Sequence, residues 1–314
     1  MPATNLRMKG LALFNLIFFL TATAVSGQTY IVDIVRDSAR SDKFTGGRIA
    51  KAAVSPGDGD VKITINLPSF QMTLWQGRKE LGVYPIGTGK VDFPVPVGLR
   101  RATSIEWNPV WIPPSSEWIE RSSTVKPGEI ILPTDPRNPL GKIKIPLGYG
   151  YLIHQAKGAQ DMGNLVSHGC VRVLQRDLYD LSEKIIAARG IQLPTGQLFE
   201  IKRTKKTLPV ALEPAVSVEI TYDTMVVEAG ELAIYPDIYN YKKNTVDNLR
   251  DELRSNNIDD HRFSDARLRS LIAAATGKNK YVVSIAGLRS GRSLLPGKSV
   301  PVLQGLTRVG AVVK

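Results

Sequence analysis

Apolar and polar residues largely alternate along three short segments in the first half of the chain, at residues 61–67, 71–75 and 80–87. A period of two is typical of a strand that buries one face. Turn-forming residues at 68–69 and 76–77 separate the segments, because proline, serine and glycine favour tight turns. The pattern therefore predicts a β-meander of three strands.

Proline and glycine recur at short intervals between residues 92 and 150, and such a density excludes long helices there. A further strand is predicted at 149–155, a new element begins at 171–173, and the last strand of the sheet is predicted at 195–201. A helix is predicted between the last two, because apolar residues recur there on one helical face, at Leu178, Leu181, Ile185 and Ile186. Residues 61–202 are therefore predicted to form one domain that is nearly all β with one clear helix.

The pattern changes after a basic segment that ends in proline, at residues 202–209. Beyond it, strands are predicted at 216–222 and 281–285, and helices at 245–255 and 264–275. A threonine or serine stands at the start of each helix, where its side chain can cap free N–H groups. Residues 203–314 are therefore predicted to form a small α+β C-terminal domain, whose role the sequence does not indicate.

The start of the chain has the layout of a secretory signal peptide. Arg7 and Lys9 give a short positive region, an apolar run covers residues 11–20, and small residues follow. An uncleaved membrane anchor is the other interpretation, but the apolar run is shorter than the ~20 residues that span a bilayer. We therefore expect residues 1–27 to be removed, residues 28–60 to be a linker or lead-in segment, and the mature protein to be exported to the periplasm or cell envelope.

The chain of 314 residues carries a formal net charge of +12. An excess of this size suits nucleic acid, an anionic membrane or an acidic polymer such as the bacterial cell wall. The sequence has no basic tail and no arginine-rich stripe, so nucleic-acid binding is not supported. Hydrophobic residues make up 43% of the chain, which is enough for a buried core.

Cys170 is the single cysteine of the sequence, so it cannot form an internal disulfide. Composition alone favours a buried side chain, since unpaired cysteine is among the most buried residue types. The local sequence favours chemistry instead, because His154 and His168 precede Cys170 closely and a thiolate needs a nearby base or positive charge. These three side chains could also bind a metal ion, but no further cysteine or paired carboxylate supports such a site.

Gly169 and Arg172 add to the chemistry that this segment can perform. Gly169 has no side chain, so a substrate carbonyl can approach the backbone N–H groups of Gly169 and Cys170, which are natural oxyanion donors. Arg172 would lie on the same side as Cys170 if the segment is extended, where it could bind a substrate carboxylate. The cluster favours nucleophilic catalysis.

Residues 167–170 read Ser-His-Gly-Cys, and twelve residues separate His154 from Ser167. This arrangement resembles the signature of the L,D-transpeptidase family, which has a YkuD-like catalytic domain. The resemblance covers about residues 61–202. It implies a mainly β protein, with an L,D-transpeptidase-like β-sandwich catalytic domain that carries one or two helices, to which the small α+β C-terminal domain is added.

By position, the resemblance implies that Cys170 is the acylated nucleophile and that His154 is the base that takes its proton. His168 is placed among the catalytic residues as well. The N–H groups of Gly169 and Cys170 would stabilise the tetrahedral oxyanion. Some family members have a serine directly after the upstream histidine as its orienting partner. This chain has Gln155 there, so the third member of the triad stays open, and a backbone carbonyl could take its place.

Four residues are predicted to contact the substrate, namely Ser167, Arg172, Tyr151 and Trp111. Ser167 would shape the pocket, and Arg172 would bind a carboxylate of a stem peptide. Trp111 belongs to an aromatic and proline-rich stretch at residues 106–114, which is predicted to form a lid or groove wall. A packed loop is the other interpretation of this stretch.

The implied reaction is a two-step acyl transfer in peptidoglycan. Cys170 attacks the carbonyl of the third residue of a tetrapeptide stem and releases the terminal D-Ala, and an amine then attacks the thioester. A second stem as acceptor gives a three-to-three cross-link, a lysine of an envelope lipoprotein gives anchoring, and water gives peptidase activity. No metal or organic cofactor is implied, and inhibition by carbapenems is expected. A non-catalytic wall-binding protein with the same fold is the competing hypothesis.

Overall fold

The computed structural model describes residues 60–289 and 297–304. The predicted signal peptide at residues 1–27 and the predicted linker, except for its last residue, lie outside this part. Across the described residues, no helix combines the length and the apolar character that a membrane span requires.

Nine strands of the described residues form one sheet. In chain order they are β1 (Val61–Asn66), β2 (Gln71–Gln76), β3 (Lys79–Gly89), β4 (Gly98–Trp107), β5 (Ile143–Pro146), β6 (Leu152–Gln155), β7 (Leu165–Ser167), β8 (Val171–Val173) and β9 (Leu208–Thr221). Pairing runs β1-β2-β3-β8-β6-β5-β4-β9 and returns from β9 to β1, so eight of these nine strands close a ring. β7 pairs with the end of β3 outside the ring. The predicted mainly β class with few helices is confirmed, and β1, β2 and β3 form the predicted antiparallel meander.

The core of the ring follows from the alternation that the sequence shows. In β1, Val61, Ile63 and Ile65 are buried while the residues between them are half-exposed. Helix α2 (Gln175–Ala188) is the predicted helix and contributes Leu178, Leu181 and Ile185 to the same core. Burying one such side chain contributes about 1.5–3 kcal/mol, so the ring and α2 stabilise each other.

The long connection between β4 and β5 has a small core of its own. It contains helix α1 (Glu117–Glu120) and an isolated bridge between Trp111 and Ile131. The Asn138 side-chain amide donates to the carbonyl of Pro109 at 3.0 Å and accepts from the N–H of Leu140 at 3.0 Å. We call residues 108–142 the lid segment.

Strand β9 corrects the division of the chain that the sequence suggested. The boundary was expected at residue 202, with a strand at 216–222 in the second domain. Instead β9 lies between β1 and β4 and closes the ring of the first sheet. The expected closing strand at residues 195–201 is wrong, because most of this segment lies in helix α3 (Gln197–Arg203). A short apolar run fits both periods, and alternation does not reveal which sheet a strand joins.

The described C-terminal residues form a second sheet of four antiparallel strands with helices beside it. The strands are β10 (Met225–Glu228), β11 (Glu231–Ile234), β12 (Asn279–Ser284) and β13 (Lys298–Pro301), and the helices are α4 (Val246–Ser255), α5 (Asp265–Ala273) and α6 (Ile285–Arg289). Thr245 and Ser264 cap α4 and α5 through their side chains. A separate apolar cluster, which includes Leu232, Leu249 and Leu268, packs this sheet against the helices.

Two contacts tie the C-terminal residues to the first sheet near the end of β3. The Tyr239 hydroxyl is buried, donates to the carbonyl of Gly89 at 3.1 Å and lies 3.0 Å from the Thr88 hydroxyl. The Lys278 ammonium donates to the Asn164 side chain at 2.8 Å. The first contact reaches the end of β3, which pairs with β7, and the second reaches Asn164, which directly precedes β7. Strand β7 leads into the Ser-His-Gly-Cys turn.

Candidate active site

The turn that carries Cys170 is held by the Ser167 side chain. The Ser167 hydroxyl donates to the carbonyl of Cys170 at 2.6 Å and accepts from the N–H of Gly169 at 3.2 Å. Ser167 is 1% exposed, so its hydroxyl is enclosed by the turn. The structure thus gives Ser167 a role in shaping the turn, and its burial leaves no surface for the predicted substrate contact.

Gly169 is required at its position by both backbone and space. Its φ of +102° lies in the region that favours glycine, and an added Cβ would come 2.8 Å from Cε1 of Tyr151. Tyr151 therefore packs directly against the turn, as a substrate-site residue would. Because the Gly169 N–H already binds Ser167, the N–H of Cys170 is the stronger of the two predicted oxyanion donors.

Strands β6 and β8 bring the predicted nucleophile and base together. They pair in parallel, with Ile153 opposite Val171 and His154 opposite Arg172. Val171 and Ile153 enter the core, so His154 and Arg172 face the other side of the sheet. Cys170 comes directly before β8, and the backbone N–H of Leu152 in β6 contacts its thiol.

Burial dominates the protonation of Cys170. Removal from water raises the pKa of the Cys170 thiol, and the Leu152 N–H and the Arg172 charge lower it by less. The thiol is therefore mostly protonated near neutral pH. A base is needed at the moment of attack.

His154 is buried, with 4% of its surface exposed. Burial, and then the positive charge of Arg172, lower the pKa of His154 to about 3, although the carbonyls of Gln155 and Pro139 oppose this shift. The ring is therefore neutral at physiological pH and able to accept a proton. Its Nδ1 makes no hydrogen bond of normal geometry to the described residues.

The Gln155 side chain does not orient His154. Its carbonyl oxygen accepts from the backbone N–H of Lys142 at 2.8 Å, in the last part of the lid segment. The Pro139 carbonyl, which favours the protonated His154 ring, is the better candidate for the open third position. A backbone carbonyl in this place is one of the outcomes that the sequence left open.

Arg172 has a partner within the protein. Its Nη1 lies 3.6 Å from Oδ2 of Asp161, and the two side chains are 11% and 7% exposed. Asp161 also accepts from the N–H of Lys157 at 2.8 Å. The predicted carboxylate-binding arginine is thus mostly buried and already paired. Sequence reasoning missed Asp161, whose only signal was an acidic residue in the spacer between His154 and Ser167.

His168 lies on the exposed side of Cys170. Its ring stacks on Trp118 at 4.5 Å with an interplanar angle of 4°, and meets the edge of Phe93 at 4.8 Å. Partial burial, followed by the charges of Lys90 and Arg172, lowers the pKa of His168. Trp118 belongs to the lid segment, so the lid reaches the predicted site. Phe93 and Trp118 were both missed, since no spacing links them to the motif.

Trp111 is placed differently from the prediction. It is 8% exposed and packs with Ile119, Val125, Ile131 and Leu140 in the core of the lid segment. The prediction of a lid chose the right segment, but Trp118 and not Trp111 contacts the site.

Among the described residues, no group of three or more His, Cys, Asp or Glu side chains is arranged to hold a metal ion.

Comparison with known proteins confirms the resemblance that the motif indicated. Residues 60–201 match the family described as YkuD, the L,D-transpeptidase catalytic domain. Probable L,D-transpeptidase YbiS of Escherichia coli strain K12 is 29% identical over 132 residues, which cover 41% of this chain and 43% of that protein. Probable L,D-transpeptidase ErfK/SrfK of Salmonella typhimurium is 29% identical over 122 residues, which cover 35% of this chain and 39% of that protein. The matched region spans less than half of either relative.

A solved structure was also found. The NMR structure of the catalytic domain of the E. faecium L,D-transpeptidase acylated by ertapenem aligns with 52% of this chain and 99% of that domain, at 16% identity and a TM-score of 0.34.

Proposed function

We propose that the protein is an exported peptidoglycan L,D-transpeptidase that uses Cys170 as its nucleophile. The observation that carries the proposal is the parallel pairing of β6 with β8, which holds His154 beside the turn of Cys170. This pairing lies inside residues 60–201, the region that matches the catalytic-domain family. The signal-peptide pattern at residues 1–27 supports export to the periplasm or cell envelope.

The first step begins from a neutral thiol and a neutral imidazole. The pKa of Cys170 is raised and the pKa of His154 is lowered, so the pair does not rest as a thiolate and an imidazolium. The thiol proton passes to His154 as the sulfur attacks the carbonyl of the third stem residue. General base catalysis of this kind contributes about 10²–10⁴-fold to a rate.

The tetrahedral intermediate carries a negative oxygen, which the N–H of Cys170 would bind. When the intermediate collapses, the C–N bond to the terminal D-Ala breaks and His154 returns the proton to the leaving amine. The product is a thioester on Cys170. Arg172 favours the anionic form of the Cys170 sulfur, and Asp161 partly neutralises the positive charge of Arg172.

The second step transfers the acyl group to an amine. The amine attacks the thioester and gives one proton to His154, the C–S bond breaks, and His154 returns that proton to the sulfur of Cys170. A second stem peptide would give a three-to-three cross-link, and a lipoprotein lysine would give a wall-anchored protein. Water in the same place would give a peptidase.

A carbapenem provides the first test, because its strained amide would acylate Cys170 by the same attack. The wild type should gain the mass of one carbapenem on the peptide that contains Cys170, and Cys170→Ala should gain none. No adduct on the wild type, or an equal adduct on Cys170→Ala, would exclude the catalytic function and favour the non-catalytic wall-binding protein.

Product analysis distinguishes the acceptors. Purified protein is incubated with a disaccharide tetrapeptide, and the products are identified by mass spectrometry. A cross-linked dimer indicates transpeptidation, and a tripeptide alone indicates hydrolysis.

A further inference from the structure

A half-buried arginine, Arg100, and the turn of Cys170 share one aromatic neighbour, the ring of Tyr151. Arg100 in β4 places its guanidinium carbon 5.9 Å from the ring centre of Tyr151 and 5.7 Å from that of Tyr149. The same Tyr151 ring also meets Gly169, where an added Cβ would come 2.8 Å from Cε1. Tyr151 thus connects Arg100 to the residue that precedes the nucleophile.

Arg100 differs from Arg172 in both partner and exposure. Arg172 is buried against Asp161, whereas Arg100 has no ion pair with any residue at 60–289 or 297–304. Tyr149 beside it is 78% exposed, so the patch is open to a ligand. A guanidinium near the faces of two aromatic rings keeps its donors oriented and offers a fork that matches a carboxylate.

We propose that Arg100, Tyr149 and Tyr151 form a subsite that binds a carboxylate of the donor stem peptide. The proposal rests on the proposed function, because it takes the stem peptide as the ligand. It moves the carboxylate-binding role, which the sequence suggested for Arg172, to an arginine that is free to perform it. Arg100 and the turn meet through the Tyr151 ring and not directly, so the carboxylate belongs to a neighbouring stem residue and not to the reacting carbonyl.

The chain offers a matched control in the next residue. Arg101 carries the same charge and is exposed, but side chains alternate along a strand, so it projects from the opposite face of β4. Arg100→Gln and Arg101→Gln therefore remove the same charge from the same strand, and Arg100→Lys keeps the charge without the fork.

The experiment measures binding and turnover of disaccharide tetrapeptides with free carboxylates, and of versions in which one carboxylate at a time is amidated. Arg100→Gln should weaken binding of the free stem and raise its KM by about tenfold or more, since charge-assisted hydrogen bonds of this kind are lost. Arg101→Gln should match the wild type, and Arg100→Lys should fall between. One amidated stem should bind equally to the wild type and to Arg100→Gln, and this identifies the carboxylate. Alkylation of Cys170 by iodoacetamide, a neutral reagent, should be unchanged in all variants.

The outcomes separate this proposal from the proposed function. Equal effects of Arg100→Gln and Arg101→Gln, or an equal loss for free and every amidated stem, would overturn the subsite. If the wild type binds the stem through Arg100 but transfers nothing, the subsite stands and the acyl-transfer function fails. If the wild type neither binds nor transfers the stem, both fail.

Discussion

The two sides of Cys170 differ in almost every physical respect. On one side His154, Arg172 and Asp161 are buried, and their charges are balanced within the protein. On the other side His168 is exposed and lies between the rings of Trp118 and Phe93. The buried side can control protons and charge but offers little surface to a peptide. The exposed side offers aromatic surface, but within the described part of the chain His168 has no ion pair like that of Arg172 with Asp161. Under the proposed function, proton transfer and substrate binding would therefore take place on opposite sides of Cys170.

The largest expected effect is on the buried side, at the base. His154→Gln should reduce the rate of stem transfer by about 10²–10⁴-fold, because the proton of Cys170 then has no acceptor. His168→Gln should cause a smaller loss, mostly in KM, because its ring lies on the binding side. Steady-state kinetics of both variants tests this difference. A larger loss of kcat in His168→Gln than in His154→Gln would mean that the base lies on the exposed side and not on the buried side.

The next effect concerns the stability of the buried ion pair. Asp161→Asn should lower the free energy of unfolding by roughly 3–5 kcal/mol, since it leaves the Arg172 charge buried without its partner. Glu117→Gln is the matched control, because its pair with Arg121 is exposed and should contribute only about 0–1 kcal/mol. Urea unfolding curves of the two variants provide the measurement. Equal, small changes would mean that the Asp161–Arg172 pair is solvated.

The third effect is on the pH dependence of the thiol. Arg172 lowers the pKa of Cys170 while burial raises it, so Arg172→Gln should raise this pKa further above its ordinary value. The thiolate then forms only at higher pH, and the rate of alkylation by iodoacetamide should rise at a higher pH than in the wild type. The profile of Arg101→Gln should coincide with that of the wild type. A shift to lower pH in Arg172→Gln would contradict the account.

The smallest expected effect comes from the C-terminal residues that contact the first sheet at the end of β3. Tyr239→Phe removes the hydroxyl that binds Gly89 and Thr88, and should lower the free energy of unfolding by about 1 kcal/mol. Tyr241→Phe, at a side chain that is 46% exposed, should change it little. Thermal or urea unfolding of both variants tests the contact. Equal changes in the free energy of unfolding of the two variants would mean that the Tyr239 hydroxyl does not stabilise the first sheet.

The motif residues and the residues that pack against them were unequally predictable from the sequence. Cys170, His154, Gly169 and Arg172 could be found because their chemistry and spacing stand in one short stretch. The meander could be found because its strands are neighbours both in the chain and in the sheet. Asp161 and Trp118 could not be found, since they meet the motif only after the spacer and the lid segment fold back.

The predictions for β9 and for Trp111 were wrong for the same reason, because the place of each in the fold is decided by tertiary partners. The place of β9 between β1 and β4 depends on pairing between strands more than a hundred residues apart, which local alternation does not encode. Trp111 was chosen as a substrate contact for its aromatic character. Whether such a ring packs inward or faces a groove is decided by its partners, here Ile131 and Leu140.

The central claim is that Cys170 forms a thioester with a stem peptide. The direct measurement is mass spectrometry of the protein after brief incubation with a disaccharide tetrapeptide and rapid acid quenching. We predict that the peptide containing Cys170 gains the mass of the disaccharide tripeptide less one water, that at least an equal amount of D-Ala is released, and that Cys170→Ala shows neither. Release of D-Ala by Cys170→Ala, or no adduct and no release from the wild type, would contradict the account.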